Sequence, residues 1–348
     1  MNRRTLLLLG AAAVASVGAA LVLTPEMDER SAPPGGQGGL AFEGLAGKLQ
    51  GASRIEIGKH DAKLELQRQG EAWILPAKGG YPARPERVRE LLVGLTELRL
   101  AEARTSDPSQ FDRLGVDDPM RPGSTALLLR VLDAQGGAIA ELIVGRRRVR
   151  TQGNVPESVY VRRPGQNQSW LAEGRLPVDA DPQLWVDRDI VNLPHDRIRR
   201  VTVHRMDEPE LVLVRGDGAE AKLRLTEPAG TPPSDEVALD EIGRAFEFLT
   251  FLEVKPAAEI PGSALGESRF EMADGSSITV QPHKDGDKLW IRLQAEGGDE
   301  ANRLNARWQG WAYQVGAWKE KAFVPRLTDL AARESAARSG EAPAEAPR

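Results

Sequence analysis

The sequence predicts an α+β protein: two tandem copies of an antiparallel-sheet-plus-helix domain behind an N-terminal transmembrane helix. Three observations predict it. Many short runs alternate apolar and polar residues, the period of half-buried strands. Two stretches, Pro85–Ala101 and Leu239–Lys255, change from a period of 3.6 to a period of two, which reads as helix followed by strand. The segments flanking these two stretches echo one another in the same order.

The chain opens on a short basic start, Met1-Asn2-Arg3-Arg4, followed by Leu6–Leu23, in which Ser16 is the only polar residue. Such a run is just long enough to span the hydrocarbon core, about 30 Å thick. A signal peptide cleaved near Ala19 or Ala20 is the competing reading. The run exceeds a usual signal core and has no distinct cleavage site, so residues 1–24 are read as a retained anchor. Arg3 and Arg4 lie on the inner side, with Glu26, Asp28 and Glu29 outside. That exports the body, on a single-pass anchor. Residues 25–41 form a linker around the Pro/Gly stretch Ser31–Gly39.

Phe42–Leu49 reads as a helical lead-in. Ser53–Ile57 and Lys63–Gln67 read as strands joined through His60-Asp61, and Trp73-Ile74-Leu75 as a strand stopped by Pro76. Val88, Leu91, Leu92, Leu95 and Leu98 then line one helix face, and Pro85 suits the first turn. Leu127–Leu132 and Ile139–Val144 flank a turn, as do Ser158–Arg162 and Ser169–Ala172.

The first copy is placed at 42–196 and the second at 197–330. Leu211–Val214 and Lys222–Leu225 bracket Gly216-Asp217-Gly218. Leu239, Ile242, Phe246 and Leu249 make the second helical stripe, with Ser234 or Asp235 as N-cap. Phe270–Ala273, Ile278–Gln281 and Leu289–Leu293 read as strands, and Lys319–Leu330 as a closing helix. Residues 331–348, rich in Ala, Glu, Pro and Arg, are read as a disordered tail.

The echo runs through several segments, Leu114-Gly115 with Leu265-Gly266 and Leu129–Gln135 with Phe270–Gly275 among them. Arg54-Ile55-Glu56-Ile57 matches Arg200-Val201-Thr202-Val203. The pair Leu95-Thr96 matches Leu249-Thr250, both expected on the helices. Val159-Tyr160-Val161-Arg162 matches Leu289-Trp290-Ile291-Arg292.

Composition narrows the function. The 348 residues carry a formal net charge of −5, which lacks the basic footprint of a nucleic-acid binder. No cysteine is present, so disulfides, thiolate metal sites and cysteine nucleophiles are excluded. The histidines His60, His195, His204 and His283 show no metal-binding spacing, and no G-x-S-x-G or S-x-x-K nucleophile motif stands out. No catalytic, cofactor-binding or metal-binding residue is therefore assigned, and no cofactor is expected. Asp285-Gly286-Asp287 reads as a turn, because no Glu closes a calcium loop after it.

Two clusters remain as binding candidates. Arg146, Arg147, Arg148, Arg150, Arg162 and Arg163 form an anion- or partner-binding set if their two segments pair. Trp308, Trp311 and Trp318 form a possible aromatic contact face, against which stands ordinary core packing. Arg197, Arg199 and Arg200 are expected to pair with acidic neighbours.

The chain resembles a bacterial family, the domain of unknown function 4340. The likeness rests on Phe42–Leu49, Arg54–Ile57, Trp73, Lys78–Ala83 and the helix Val88–Leu98. It continues through Leu114–Pro119, Glu141–Arg146, Tyr160–Pro164, Ser169–Leu171 and Asp181–Arg188. The resemblance implies one N-terminal membrane segment and, for some members, companionship with ABC-type transport systems of the gliding-motility kind. It supplies no catalytic residues. The expected function is a membrane-anchored, periplasm-facing, non-catalytic binding or scaffold protein. An ABC-type permease or another envelope protein is its expected partner. The alternatives are an exported hydrolase with a site between the copies, and a lipid- or cell-wall-binding module.

Overall fold

The computed structural model describes residues 38–148, 157–218, 221–230 and 234–331. The anchor Leu6–Leu23, the Pro/Gly linker up to Gln37, Arg150 and the tail from Ala332 lie outside them. Among the described residues, no helix is long and apolar enough to cross a membrane. The α+β, strand-rich character is borne out.

The chain divides into two compact units. The first holds the residues up to Leu64 and Arg89–Ala180, and the second holds Glu65–Val88 and everything from Asp181.

In the first unit a short helix α1 (Leu45–Lys48) precedes the hairpin β1 (Arg54–Lys59) and β2 (Ala62–Gln69). β2 runs on past the boundary, as does helix α2 (Pro85–Glu97). After α2 come β5 (Arg99–Ala103), the single turn α3 (Phe111–Leu114), β6 (Leu127–Leu132), β7 (Ala138–Arg148), β8 (Ser158–Arg162) and β9 (Ser169–Glu173). The strand order is β2-β1-β6-β7-β8-β9-β5.

Alternation decides which faces are buried. Ile55 and Ile57 on β1 stand opposite Val131 and Leu129 on β6, and all four are buried. Val88, Leu91, Leu95 and Leu98 are buried as their spacing predicts, while Leu92 is half-buried. Gly94 is demanded by packing: a Cβ there would stand 2.2 Å from the Arg175 carbonyl oxygen. A second cluster, Phe111, Val116, Ala126 and Ile143, closes the unit under α3.

The second unit begins with the end of β2, β3 (Ala72–Leu75) and β4 (Tyr81–Pro82), paired in that order. After Asp181 follow β10 (Asp189–Val191), β11 (Ile198–Arg205), β12 (Leu211–Arg215), β13 (Leu223–Glu227), α4 (Glu236–Gly243), β14 (Leu249–Thr250) and β15 (Glu253–Pro256). The chain continues through β16 (Ser263–Ala264), β17 (Gly266–Met272), β18 (Ser277–Asp285), β19 (Lys288–Glu296), α5 (Gly298–Trp308), β20 (Trp311–Val315) and α6 (Glu320–Phe323). Its main sheet has the order β13-β12-β11-β17-β18-β19-β20-β15.

In the two sheets the strands fall in like positions. β6 lies beside β1 and β17 beside β11, while β5 and β15 close the far edges. Val201 and Val203 on β11 stand opposite Phe270 and Ser268. Val144 pairs with Val161 across β7 and β8, and Pro282 with Ile291 across β18 and β19.

The structure corrects two expectations and adds one helix. The second organising helix is only α4. It ends at Gly243, and Leu249-Thr250 lies in β14, paired with β10. The segment Arg188–Leu193 captures that stretch. Leu193 N–H donates to the Phe246 carbonyl, Phe248 N–H to Asn192 Oδ1, and Arg188 Nε to the Phe251 carbonyl. Leu239, Ile242, Phe246 and Leu249 are all buried regardless, and Asp235 caps α4 by accepting from Val237 N–H. Lys319–Leu330 is not one helix: α6 is a single turn, broken before Pro325. Helix α5 was not anticipated, because only Ala301, Leu304 and Trp308 mark its apolar face.

Candidate functional site

The arginines do not converge. β7 and β8 do pair, but Arg162 stands opposite Ile143, whereas Arg147 and Arg148 stand opposite Val159 and Ser158. A register shift between Val144 and Arg147 marks a bulge. Gly145 sits in it, where a Cβ would lie 2.4 Å from the Leu114 carbonyl oxygen. Arg146 and Arg147 are exposed beyond it, and Arg147 Nη2 donates to the Leu176 carbonyl at 2.9 Å.

Arg162 is a structural arginine. Its side chain donates to the carbonyls of Val116 at 2.7 Å, Gln166 at 3.0 Å and Asp117 at 3.4 Å, and lies over the Phe111 ring at 4.6 Å. Burial pulls its guanidinium below the usual arginine range. Arg163 donates to the Ala41 carbonyl and covers the Phe42 ring. It borders an open groove of about 430 Å³ whose lining includes Phe42, Lys48, Ile139, Glu141 and Gln166.

The three tryptophans also separate. Trp308 is a core residue, 1 % exposed, and its indole N–H donates to the Ile190 carbonyl. Trp311 is half-buried and stands edge-on to Tyr81, ring centres 4.9 Å apart. Tyr81 also meets Phe251 and Tyr313 edge-on, and burial raises both tyrosine hydroxyls above their ordinary range. Trp318 is 73 % exposed, its ring laid over Gly316.

Trp308 and Trp311 do share one wall. A second open groove, of about 420 Å³, lies over β18 and β19 beside α5, and Thr279, Gln281, Arg292, Gln294, Trp308 and Trp311 line it. Helix α5 is held there by Asn305, whose side-chain amide accepts from Ala295 N–H and donates to the Ala295 carbonyl. Sequence reasoning did not single out this site. The signal was present as polar alternation, Thr279 and Gln281 on one strand, Arg292 and Gln294 on the next.

Elsewhere the charged groups are spent in pairs. His195 Nδ1 lies 2.7 Å from Glu247 Oε1, and Arg244 bonds the other Glu247 oxygen. Arg197 bridges Glu300 and Asp274, as its neighbourhood suggested. Ser276 and Arg197 hold the Asp274 carboxyl down at about 2. Arg197 and its hydrogen bonds likewise lower Glu300, and His195 and Arg244 lower Glu247. Among the described residues, no group of three His, Cys, Asp or Glu side chains is placed to hold a metal ion.

The family model described as "Domain of unknown function (DUF4340)" matches residues 73–266, more than half of the chain. The chain belongs to the DUF4340 family. The family match opens on Trp73 in β3 and closes on Gly266 in β17, so it contains the Arg146–Arg163 region and, of the groove beside α5, only Ala257. No curated protein and no solved structure matches the chain.

Proposed function

We propose that this DUF4340 chain is a non-catalytic binding or scaffold protein, tethered to the bacterial inner membrane through Leu6–Leu23 with its body in the periplasm, and an accessory to an ABC-type transport complex. The observation that carries the binding reading is the state of its carboxylates. Among the described residues, those whose acidity is displaced, Asp61, Asp107, Asp207, Glu236, Glu247, Asp274 and Glu300, are all displaced downward by hydrogen bonds and cations. A general acid working near neutrality needs the opposite displacement. The two grooves offer guanidinium, amide, hydroxyl and aromatic groups, which is the chemistry of recognition.

We read the body as two copies of one design. The like strand orders support this, as do the matching registers of Ile55 with Val201 and of Val161 with Ile291. The tether rests on the apolar run and on the Arg3-Arg4 bias.

A gentle-detergent pull-down of the full chain from its native membrane tests the proposal, with a chain lacking residues 1–24 as control. Co-purification of an ABC-type permease or ATPase with the full chain is the expected outcome. A partnerless protein, reproduced after cross-linking, would sink the accessory reading.

A further inference from the structure

The outer face of the second sheet carries three buried polar atoms with no protein partner at neighbouring positions. His283 on β18 stands opposite Trp290 on β19, and Arg292 lies two residues further along β19, on the same face. His283 Nδ1, Trp290 Nε1 and Arg292 Nε are all buried without a hydrogen bond. Native interiors leave few such atoms unmatched, so three together call for an explanation. All belong to groups that donate, or can donate, a hydrogen bond.

Cations also stand beside these atoms. Lys255 Nζ lies 5.5 Å from the Trp290 ring centre, and burial together with the Arg292 charge depresses the His283 imidazole below its ordinary value. Among the described residues Arg292 makes no ion pair, unlike Arg197, Arg244 and Arg326, which each hold carboxylates. Arg292 lines the groove beside α5, and among the described residues none of those lining it is acidic. Glu267 is tied to the lining, accepting from Gln281 Nε2 at 2.9 Å.

We propose that this groove binds an acidic saccharide, its carboxylate on Arg292 and its ring against Trp311. The guanidinium supplies a planar two-pronged donor that matches a carboxylate. The remaining polar lining argues for a hydroxylated body rather than a bare anion. Thr279, Gln294 and Gln309 each present an acceptor as well as a donor. Acceptors repel an isolated oxyanion but pair with sugar hydroxyls. The half-buried Trp311 indole supplies the apolar wall on which sugar C–H groups rest. A space of about 420 Å³ suits one or two sugar rings. The proposal goes beyond the accessory reading and stands without it, since the pull-down examines protein partners and the titration below does not.

The test is calorimetric titration of the full chain in detergent with glucuronic acid and its oligomers, glucose and inorganic phosphate, paired with tryptophan fluorescence. Saturable glucuronate binding is expected, roughly tenfold or more tighter than glucose, and weakened at least as much by Arg292→Gln. Arg292→Lys should recover only part of it, because it keeps the charge and loses the fork. Phosphate binding as tightly as glucuronate overturns the saccharide assignment. Absence of binding, or wild-type affinity in R292Q, overturns the site itself. If R292Q does not fold, the rim variant Gln294→Ala with Gln309→Ala carries the same test, and unchanged glucuronate affinity there overturns the proposal.

Discussion

Arg162 and Arg292 occupy like places in the two sheets, each one residue past a matched pair, Val144 with Val161 and Pro282 with Ile291. One is locked and the other is not. Arg162 is covered by the Phe111–Asp118 segment, which brings an aromatic ring and two carbonyls to it. Nothing equivalent is bonded to Arg292, and α5 and Trp311 stand back to leave a groove. The same residue type in the same register is structural or available according to what the intervening loop places over it.

The largest effect should come from the facing core. Leu129 and Ser268 hold corresponding positions, opposite Ile57 and Val203. Leu129→Ala should cost about 2–5 kcal/mol by loss of buried methyl groups and the cavity left behind. Ser268→Ala should cost roughly 1–3 kcal/mol, because it strands the Phe323 carbonyl that the serine hydroxyl bonds. Urea unfolding resolves the two, and equal losses would break the correspondence.

The arginines come next. Arg162→Met should destabilise by about 2–4 kcal/mol, since buried carbonyls lose their donors. Arg292→Met should change stability by no more than about 0.5 kcal/mol. Amide exchange in the first and second units separates the two responses, and a comparable loss from both would end the distinction between locked and available. A smaller effect, about 1 kcal/mol, is expected for Asp235→Ala, which removes the N-cap of α4. The first unit serves as internal reference.

The smallest effect is one of pH. Asp274 is held at about 2 in the folded protein, against 3.8 for the free side chain. A depressed carboxylate stabilises fully above its unfolded value, and that contribution fades as pH falls through the folded one. Melting temperatures of the wild type and Asp274→Asn should therefore converge between about pH 4 and pH 2. A constant gap through that window would show that the Ser276 and Arg197 bonds do not stabilise the charged form.

Periodicity carried most of the fold, because burial on one face enforces it. Ile55 with Ile57, and Val201 with Val203, were legible as alternating pairs, and the α2 stripe as spacing. Leu249 kept the helical spacing yet became strand, since spacing cannot see Arg188 and Asn192 bonding that stretch from far along the chain. Helix α5 escaped because its apolar face is only three residues and its anchor is the polar Asn305. For the site, sequence left the pairing of β7 with β8 as a condition, which the structure meets. It missed that the bulge at Gly145 would part Arg162 from Arg147, and that two of the three tryptophans would wall a different groove.

The first unit interrupts the second, and this has a consequence for the order in which the protein is made. Lys78 on the early segment pairs with Glu253, 175 residues further on, at 2.5 Å. At synthesis rates of about 5–20 residues per second, the ribosome delivers that partner only after about 10–35 s. Through this interval Leu75 and Tyr81 have emerged while the rest of their unit does not yet exist. Anything that delivers this chain to its destination must keep those residues out of unwanted associations until the last strands arrive, and no single cut in the chain separates one unit from the other.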